Sequence, residues 1–383
     1  MMLIDRHIAG RYFVNVITIF VILFSFVVAV DVFLNLRPFV EAAKDMRPNA
    51  GGIELFITTS LAIVDLWGPR LLQLFSYLIG IVLVAALGFT AAQFVHHREF
   101  IALLAGGMSL QRLARPILLV AVGVTFIGAL NQEFLLPHVA HLLPRDQSEA
   151  GQRELESFRV PLVRDASGRL WYASGFDAEK EVMSDPQVWE RNAQGAVTRR
   201  IWGDSAQWDG SGWVFTNGRA ESVADASRGP IPTAGAETAA VAERTAPIER
   251  LDTDLEPTVI LVNQVRGYGE SLSWRQIGET LAHGAAVDPE TRRRFDRIRY
   301  GRLAIMAGNI LAVILAMPFF LVRVPCSMTA QSLKCAPLTM LALGGAVIGA
   351  AAPLPGLPVL VGVFVPTLIM IPLAVWAITS IRT

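Results

Sequence analysis

Long apolar runs and short alternating ones divide this chain into two kinds of segment. Residues 12–34, 71–95, 116–132 and 303–322 are almost free of charge. Each approaches the length of about 20 residues that crosses roughly 30 Å of hydrocarbon as a helix. Between residues 335 and 381 there is no Asp, Glu, Lys or Arg, and the run Pro-Leu-Pro-Gly-Leu-Pro at 353–358 interrupts the stretch where two spans have to turn. The pattern predicts six membrane-spanning helices, three before and three after a central region of different character. The first run lacks a small-residue cleavage pattern before its polar flank. It is therefore expected to stay as a helix and not to be removed as a signal peptide.

Between residues 160 and 262 the period shortens. Arg169-Leu-Trp-Tyr-Ala-Ser, Gln187-Val-Trp-Glu-Arg, residues 197–208 and Gly212-Trp-Val-Phe-Thr are separated by Gly, Asp and Asn. Alternation bounded by such residues reads as antiparallel strands. Six of the eight tryptophans fall at 171, 189, 202, 208, 213 and 274. They either fill the core of a small sandwich or line an apolar trough between two curved sheets. Residues 224–250, rich in Ala, Thr, Pro and Glu, read as an excursion from the sheet. Ser273 is a predicted N-cap for a helix over 274–283, and a second helix is expected over 289–302.

Charge sets the expected orientation. Arg6 and Arg11 precede the first span, Arg98, Arg112 and Arg115 follow the second, Arg323 and Lys334 follow the fourth, and Arg382 ends the chain, with only Asp5 and Glu99 opposing them. By the positive-inside bias these segments and both termini face the cytoplasm. Residues 138–300, with 20 basic and 25 acidic side chains, then lie on the outer side. A formal net charge of zero gives no sign of nucleic acid as a partner. Cys326 and Cys335 both sit in or beside a cytoplasmic connection, so no disulfide is expected.

Several chemistries have no motif here. G-x-x-x-x-G-K-[ST], H-E-x-x-H, C-x-x-C and G-x-S-x-G do not occur, so ATP would have to be bound by another subunit. His138 and His141 are spaced for a shared face, but nothing suggests a third ligand and no metal is expected. The charged residues near spans, Asp31 and Glu133, fall at outer ends and not at the midplane where an ion or proton relay would need them.

The stretch 96–116 is too polar to cross a membrane and sits on the predicted cytoplasmic side. Glu99, Phe100, Ala102, Leu103 and Leu104 make a short amphipathic helix, Gly106-Gly107 stops it, and Ser109 is placed to cap the next. Such a helix across the end of a hairpin either stabilises the hairpin at the interface or docks into a second protein.

The order Glu99-x-x-Ala102-Leu103-x-Ala105-x-Gly107-x-Ser109 after a long second span resembles the coupling helix of the LptF/LptG permease family. Leu3-Ile4-Asp5-Arg6-His7-Ile8 is similar to that family's amphipathic start, with His7 at a common tyrosine position. Asn131-Gln-Glu133-Phe-Leu-Leu-Pro137, Gly168-Arg-Leu-Trp-Tyr172 and Met317-Pro318 resemble its exit from the third span, an early β-strand and the end of its fourth span. The resemblance covers the whole chain. It implies a polytopic α-helical membrane protein with six transmembrane helices (3+3) and an inserted periplasmic all-β jellyroll-like domain. The implied boundaries are 1–137 for the first three spans, 138–271 for the jellyroll, 272–301 for a helical connection and 302–383 for the last three spans.

By the same resemblance the chain is a subunit of an ABC transporter that extracts lipopolysaccharide from the bacterial inner membrane. It binds no cofactor itself, and ATP and Mg are used by an LptB-like ATPase dimer. The other implied partners are a second LptF/LptG-type permease and LptC/LptA-like periplasmic jellyroll proteins. Glu99, Phe100, Ala102, Leu103, Leu104 and Gly107 are the expected coupling residues. Asp31, Arg37, Gly344, Gly345, Arg297 and Arg302 are candidates for lipid contact or a lateral gate, the glycines because they allow close helix approach. The rival readings are a permease for another amphiphilic lipid and a non-transporting envelope-assembly scaffold.

Overall fold

The computed structural model describes residues 3–47, 51–143, 158–165, 167–177, 180–192, 196–222, 245–264, 268–283, 289–322, 327–352 and 356–380. The chain divides into two compact units, one built mainly from residues 1–139 and 293–383, the other from 152–292.

The helical unit begins with α1 (Leu3–Leu34), α2 (Leu36–Met46), α3 (Gly52–His96), α4 (Glu99–Ala105), α5 (Leu110–Leu130) and, after a π-helical turn at Asn131–Leu135, α6 (Leu136–Val139). Among the described residues, six helices are long and apolar enough to cross a membrane: α1, α3, the run Leu110–Val139, and three helices nearer the C-terminus described below. On α1, Ile8, Tyr12, Val16 and Phe20 recur every fourth residue, so they line one face. They are buried against Leu83 and Leu87 of α3 and Leu113, Ile117 and Ala121 of α5. The opposite face of α1 leaves Phe13, Ile17, Val21, Ile22 and Phe26 exposed, a surface stable only against lipid or another apolar partner.

α3 is 45 residues long, about 68 Å at the helical rise, and so extends well beyond the expected span 71–95. Pro69 sits inside it without ending it. The extension holds α2: Phe39 and Ala42 of α2 pack on Ala62, Leu66 and Trp67 of α3.

The second unit is a ten-stranded antiparallel sheet: β1 (Phe158–Arg164), β2 (Leu170–Asp177), β3 (Val182–Ser184), β4 (Gln187–Arg191), β5 (Val197–Trp202), β6 (Ser205–Trp208), β7 (Gly212–Thr216), β8 (Arg219–Ser222), β9 (Thr245–Pro247) and β10 (Arg250–Asp252). β1 takes one edge of β2, while β3 and β4 share the other edge end to end. Each later layer repeats this, β6 on β3 beside β5 on β4, then β7 and β8, then β10 and β9. The ten segments are therefore a meander whose longer strands each fold once along a common line.

The fold line is visible in its residues. Asp185 and Asn217 have φ of 46° and 55°, a left-handed conformation tolerated best by Gly, Asn and Asp. Gly218 has no room for a side chain, because a Cβ would fall 2.1 Å from the Ile248 carbonyl oxygen. Backbone pairing continues across the corner, from the Asp185 amide to the Asp204 carbonyl at 3.0 Å and from the Ile248 amide to the Gly218 carbonyl at 3.0 Å. Side chains join adjacent corners: Ser174 Oγ donates to Asp185 at 2.8 Å, and Asn217 Nδ2 donates to Asp204 at 2.7 Å.

Folding the sheet on itself buries Trp171, Phe176, Met183, Ile201 and Trp213, with Leu255 and Ile260 beside them. The inner faces thus meet in a packed core in which two of the tryptophans are central, while Trp189 and Trp202 are only half-buried. Beyond the last strand lie α7 (Pro257–Gln264), α8 (Tyr268–Ser271) and α9 (Trp274–His283), so the all-β region ends near 252 and not at 271. α9 opens with a capping box: Ser273 Oγ accepts from the Gln276 amide at 3.0 Å, and Gln276 returns the bond to the Ser273 amide at 2.8 Å. Most of the expected excursion 224–250 lies outside the described residues, and its end forms β9 and the start of β10.

The remaining spans are α10 (Pro289–Phe320), α11 (Met328–Ala351) and α12 (Val359–Ser380). α10 is one helix through both the expected segment 289–302 and the fourth span. Small residues let it cross α11: a Cβ on Gly301 would lie 2.7 Å from that of Ala350, and one on Gly308 2.6 Å from that of Ala346.

One buried charge organises the start of the sheet. The side chain of Asp165 is wholly shielded and accepts from Ser167 Oγ at 2.7 Å, the Arg169 amide and Nε at 2.8 Å each, Trp171 Nε1 at 3.1 Å and Thr253 Oγ1 at 3.0 Å. Burial alone would raise its pKa, but the hydrogen bonds from Ser167 and Trp171 and the charge of Arg169 outweigh it and hold the group below the usual carboxylate range. A lowered folded pKa means that the ionised form favours the native state. That contribution is complete above the unfolded value of about 4 and is lost as pH falls through the folded one. Asp165→Ala is expected to destabilise the sheet by about 3 kcal/mol, leaving Arg169 and Trp171 without their acceptor. Tryptophan-fluorescence melting of the full chain checks this, and the deficit should shrink below about pH 4.

Candidate functional site

The connection between α3 and α5 is built from two left-handed residues and a cap. α3 ends at His96, Arg98 turns the chain with φ of 58°, and α4 begins at Glu99. Gly107 has φ of 78°, and the Met108 amide reaches back to the Leu103 carbonyl at 3.2 Å, closing α4 with a glycine stop. Ser109 Oγ then accepts from the Arg112 amide at 3.3 Å and caps α5.

Within α4 the expected coupling residues separate into different roles. Ala102 is exposed. Leu103 is half-buried and packs on the core shared by α1, α3 and α5, so it seats α4 on its own bundle and does not point away from it. Glu99 Oε2 lies 3.3 Å from His7 Nε2 on the first turn of α1. His7 is exposed and Glu99 half-buried, and solvent screening keeps the pair at well under 1 kcal/mol. Phe100 and Leu104 belong to α4, and their side chains lie outside the described residues.

Behind α4, polar side chains tie α1 to α3 inside apolar packing. Tyr12 OH donates to the Leu83 carbonyl at 2.9 Å, and Asn15 Nδ2 donates to Thr90 Oγ1 at 2.8 Å and Gln93 Oε1 at 3.0 Å. The apolar-run reading passed over these residues. A lone asparagine inside an uncharged run was the signal that could have marked them.

At the other end of the bundle, Asp31 accepts from Asn35 Nδ2 at 2.8 Å and Trp67 Nε1 at 3.0 Å. Arg70 lies over the Trp67 ring at 5.8 Å. Asp31 therefore binds α1 to the α3 extension, whereas Arg37, in the first turn of α2, is exposed. Asn131, in the π-helical turn, donates to the Leu72 carbonyl at 2.8 Å and Ser76 Oγ at 2.9 Å. His138 bonds within its own turn to the Phe134 carbonyl. Arg297 donates to the Ala351 carbonyl at 3.2 Å, capping the end of α11, and Arg302 is buried. Gly344 faces open space, Gly345 meets Pro366 at ordinary contact distance, and Gly349 is the close approach, where a Cβ would lie 2.6 Å from the Val363 carbonyl oxygen.

This order of three spans, a folded β-sheet and three spans, with a short capped helix between the second and third, is matched over its whole length. The family described as lipopolysaccharide export system permease LptF/LptG aligns with residues 6–380. The chain belongs to the LptF/LptG permease family. A comparison with curated proteins gave no match. Membership makes the chain a multi-pass membrane permease of lipopolysaccharide transport, and the curled sheet fits an inserted β-domain.

The two glycines separate packing inside the LptF/LptG fold from a surface open to a partner. Gly349→Ala is expected to push α12 off α11 and lower stability by about 1–3 kcal/mol. Gly344→Ala should be neutral or slightly stabilising through helix propensity. Thermal melting of the detergent-solubilised chain reads both, and equal effects would show that neither glycine is a packing contact.

Proposed function

We propose that this chain is one permease subunit of a heteromeric ATP-driven exporter that extracts lipopolysaccharide from the outer leaflet of the bacterial inner membrane and passes it upward. In this reading both termini and α4 are cytoplasmic, and the curled β-sheet is periplasmic and meets LptC/LptA-like jellyrolls. A second LptF/LptG-type subunit completes the pathway. ATP and Mg belong to an LptB-like dimer that receives α4.

The observation that carries the reading is the build of α4. It has stops at both ends and a half-buried acid whose carboxylate meets His7, and Leu103 seats it on the core common to α1, α3 and α5. A push on α4 is delivered to that core as a rigid-body shift, because close-packed helices do not absorb displacement continuously. α1, joined to α3 by Tyr12 and Asn15, must move with it. Glu99 and Ala102 are the surface offered to the ATPase, and Leu103 is the anchor. Arg37 is exposed and offers its charge to a lipid phosphate, whereas Asp31 and Arg297 are engaged in helix-to-helix contacts.

The test is co-purification with the ATPase. Glu99→Ala combined with Ala102→Asp removes the acid and charges the exposed Ala102 while leaving the Leu103 anchor in place, and is expected to lower recovery of the ATPase tenfold or more, about 1.4 kcal/mol or greater, with melting of the permease changed little by loss of the weak His7 contact. Unchanged recovery and unchanged ATP hydrolysis would favour the scaffold reading.

A further inference from the structure

The first turns of α1 and the helix α4 enclose an open groove of about 860 Å³. Its floor is a single stripe of α1, Leu3, His7, Gly10 and Val14, spaced as one helix face. Gly10 deepens it, since a Cβ there would meet nothing within 4 Å. Arg6 and Arg11 stand exposed on its flanks, and the facing wall is Glu99, Ala102 and Leu103. Two guanidinium groups therefore face one carboxylate, and that carboxylate is already in contact with His7. The apolar stripe does not stop at the groove. It continues up α1 through Ile17 and Val21, both exposed, into the segment that crosses the membrane.

We propose that this groove holds an anionic phospholipid of the leaflet on the α4 side, its phosphate between Arg6 and Arg11 and one acyl chain laid over Gly10 and Val14 along α1. The chemistry is that of a basic lip above an apolar channel. Guanidinium groups bind phosphate oxygens through charge-assisted hydrogen bonds, and basic residues beside a span are drawn to anionic headgroups. Continuity with the outer face of α1 favours a lipid over a soluble protein segment, which could fill the basic end but could not follow the stripe into hydrocarbon. The inference rests on the membrane reading of α1. The proposed export function enters only in naming the leaflet as cytoplasmic.

The full chain, reconstituted into phosphatidylcholine vesicles containing phosphatidylglycerol and extracted in mild detergent, is examined by native mass spectrometry for retained lipid. The expected result is selective retention of phosphatidylglycerol. Arg6→Gln with Arg11→Gln should lower it roughly thirtyfold, the combined effect of two basic residues at an anionic surface. Gly10→Leu fills the floor, keeps both arginines and should lower retention by a similar factor. If Gly10→Leu binds lipid as the native chain does, the attraction is diffuse charge and the groove is not a site. Equal retention of the two lipids by all three proteins overturns the proposal. None of these outcomes depends on whether the assembly exports lipopolysaccharide.

Discussion

Everything proposed for this permease depends on α1 and α3 behaving as one body. Apolar packing alone would not ensure this, because in lipid an exposed leucine costs little and helices have no hydrophobic reason to stay paired. The polar bonds supply it. Asn15 reaches Thr90 and Gln93, Tyr12 reaches the Leu83 carbonyl, and far along the same pair Asp31 accepts from Trp67. Each would leave a buried polar group unmet if the helices slid, and in hydrocarbon no water replaces the partner. The register of α1 on α3 is fixed at both ends, so the two helices are held to move together.

The β-domain solves a different problem with similar economy. A meander of short, partly polar strands has little apolar surface per strand, but folding every strand along one line brings two leaves face to face. Trp171 and Trp213 then share one core. The corner demands left-handed residues at Asp185 and Asn217 and a glycine at 218, while backbone pairing runs unbroken across it. Asp165, at the start of this arrangement, serves five donors at once.

Much of this was legible in the sequence because the membrane imposes a length. Uncharged runs of span length cannot hide, and the break at 353–358 stands between α11 and α12. The extension of α3 was not legible, because Asp65, Gly68, Pro69 and Arg70 read as an ending, whereas the helix carries Pro69 within it and binds α2 there. The folded strands were read only in part for a related reason: a strand bent at Gly203 looks like one run or two, and pairing across the corner has no local signature. At the candidate site, the glycine stop of α4 and the Ser109 cap of α5 follow from local chemistry. Which way Leu103 faces does not, because a short apolar face fits its own bundle as well as a partner's groove. The contact of His7 with Glu99 and that of Asp31 with Trp67 join residues 92 and 36 positions apart, beyond the reach of any periodicity.

The most direct measurement is transfer of lipopolysaccharide by a defined assembly. Proteoliposomes containing this chain, its companion permease, the ATPase and lipopolysaccharide are supplied with a jellyroll acceptor carrying a photocrosslinker. Lipopolysaccharide should reach the acceptor with ATP and not without it. Brisk ATP hydrolysis with no lipopolysaccharide on the acceptor, or equal transfer in the absence of ATP, would contradict the account.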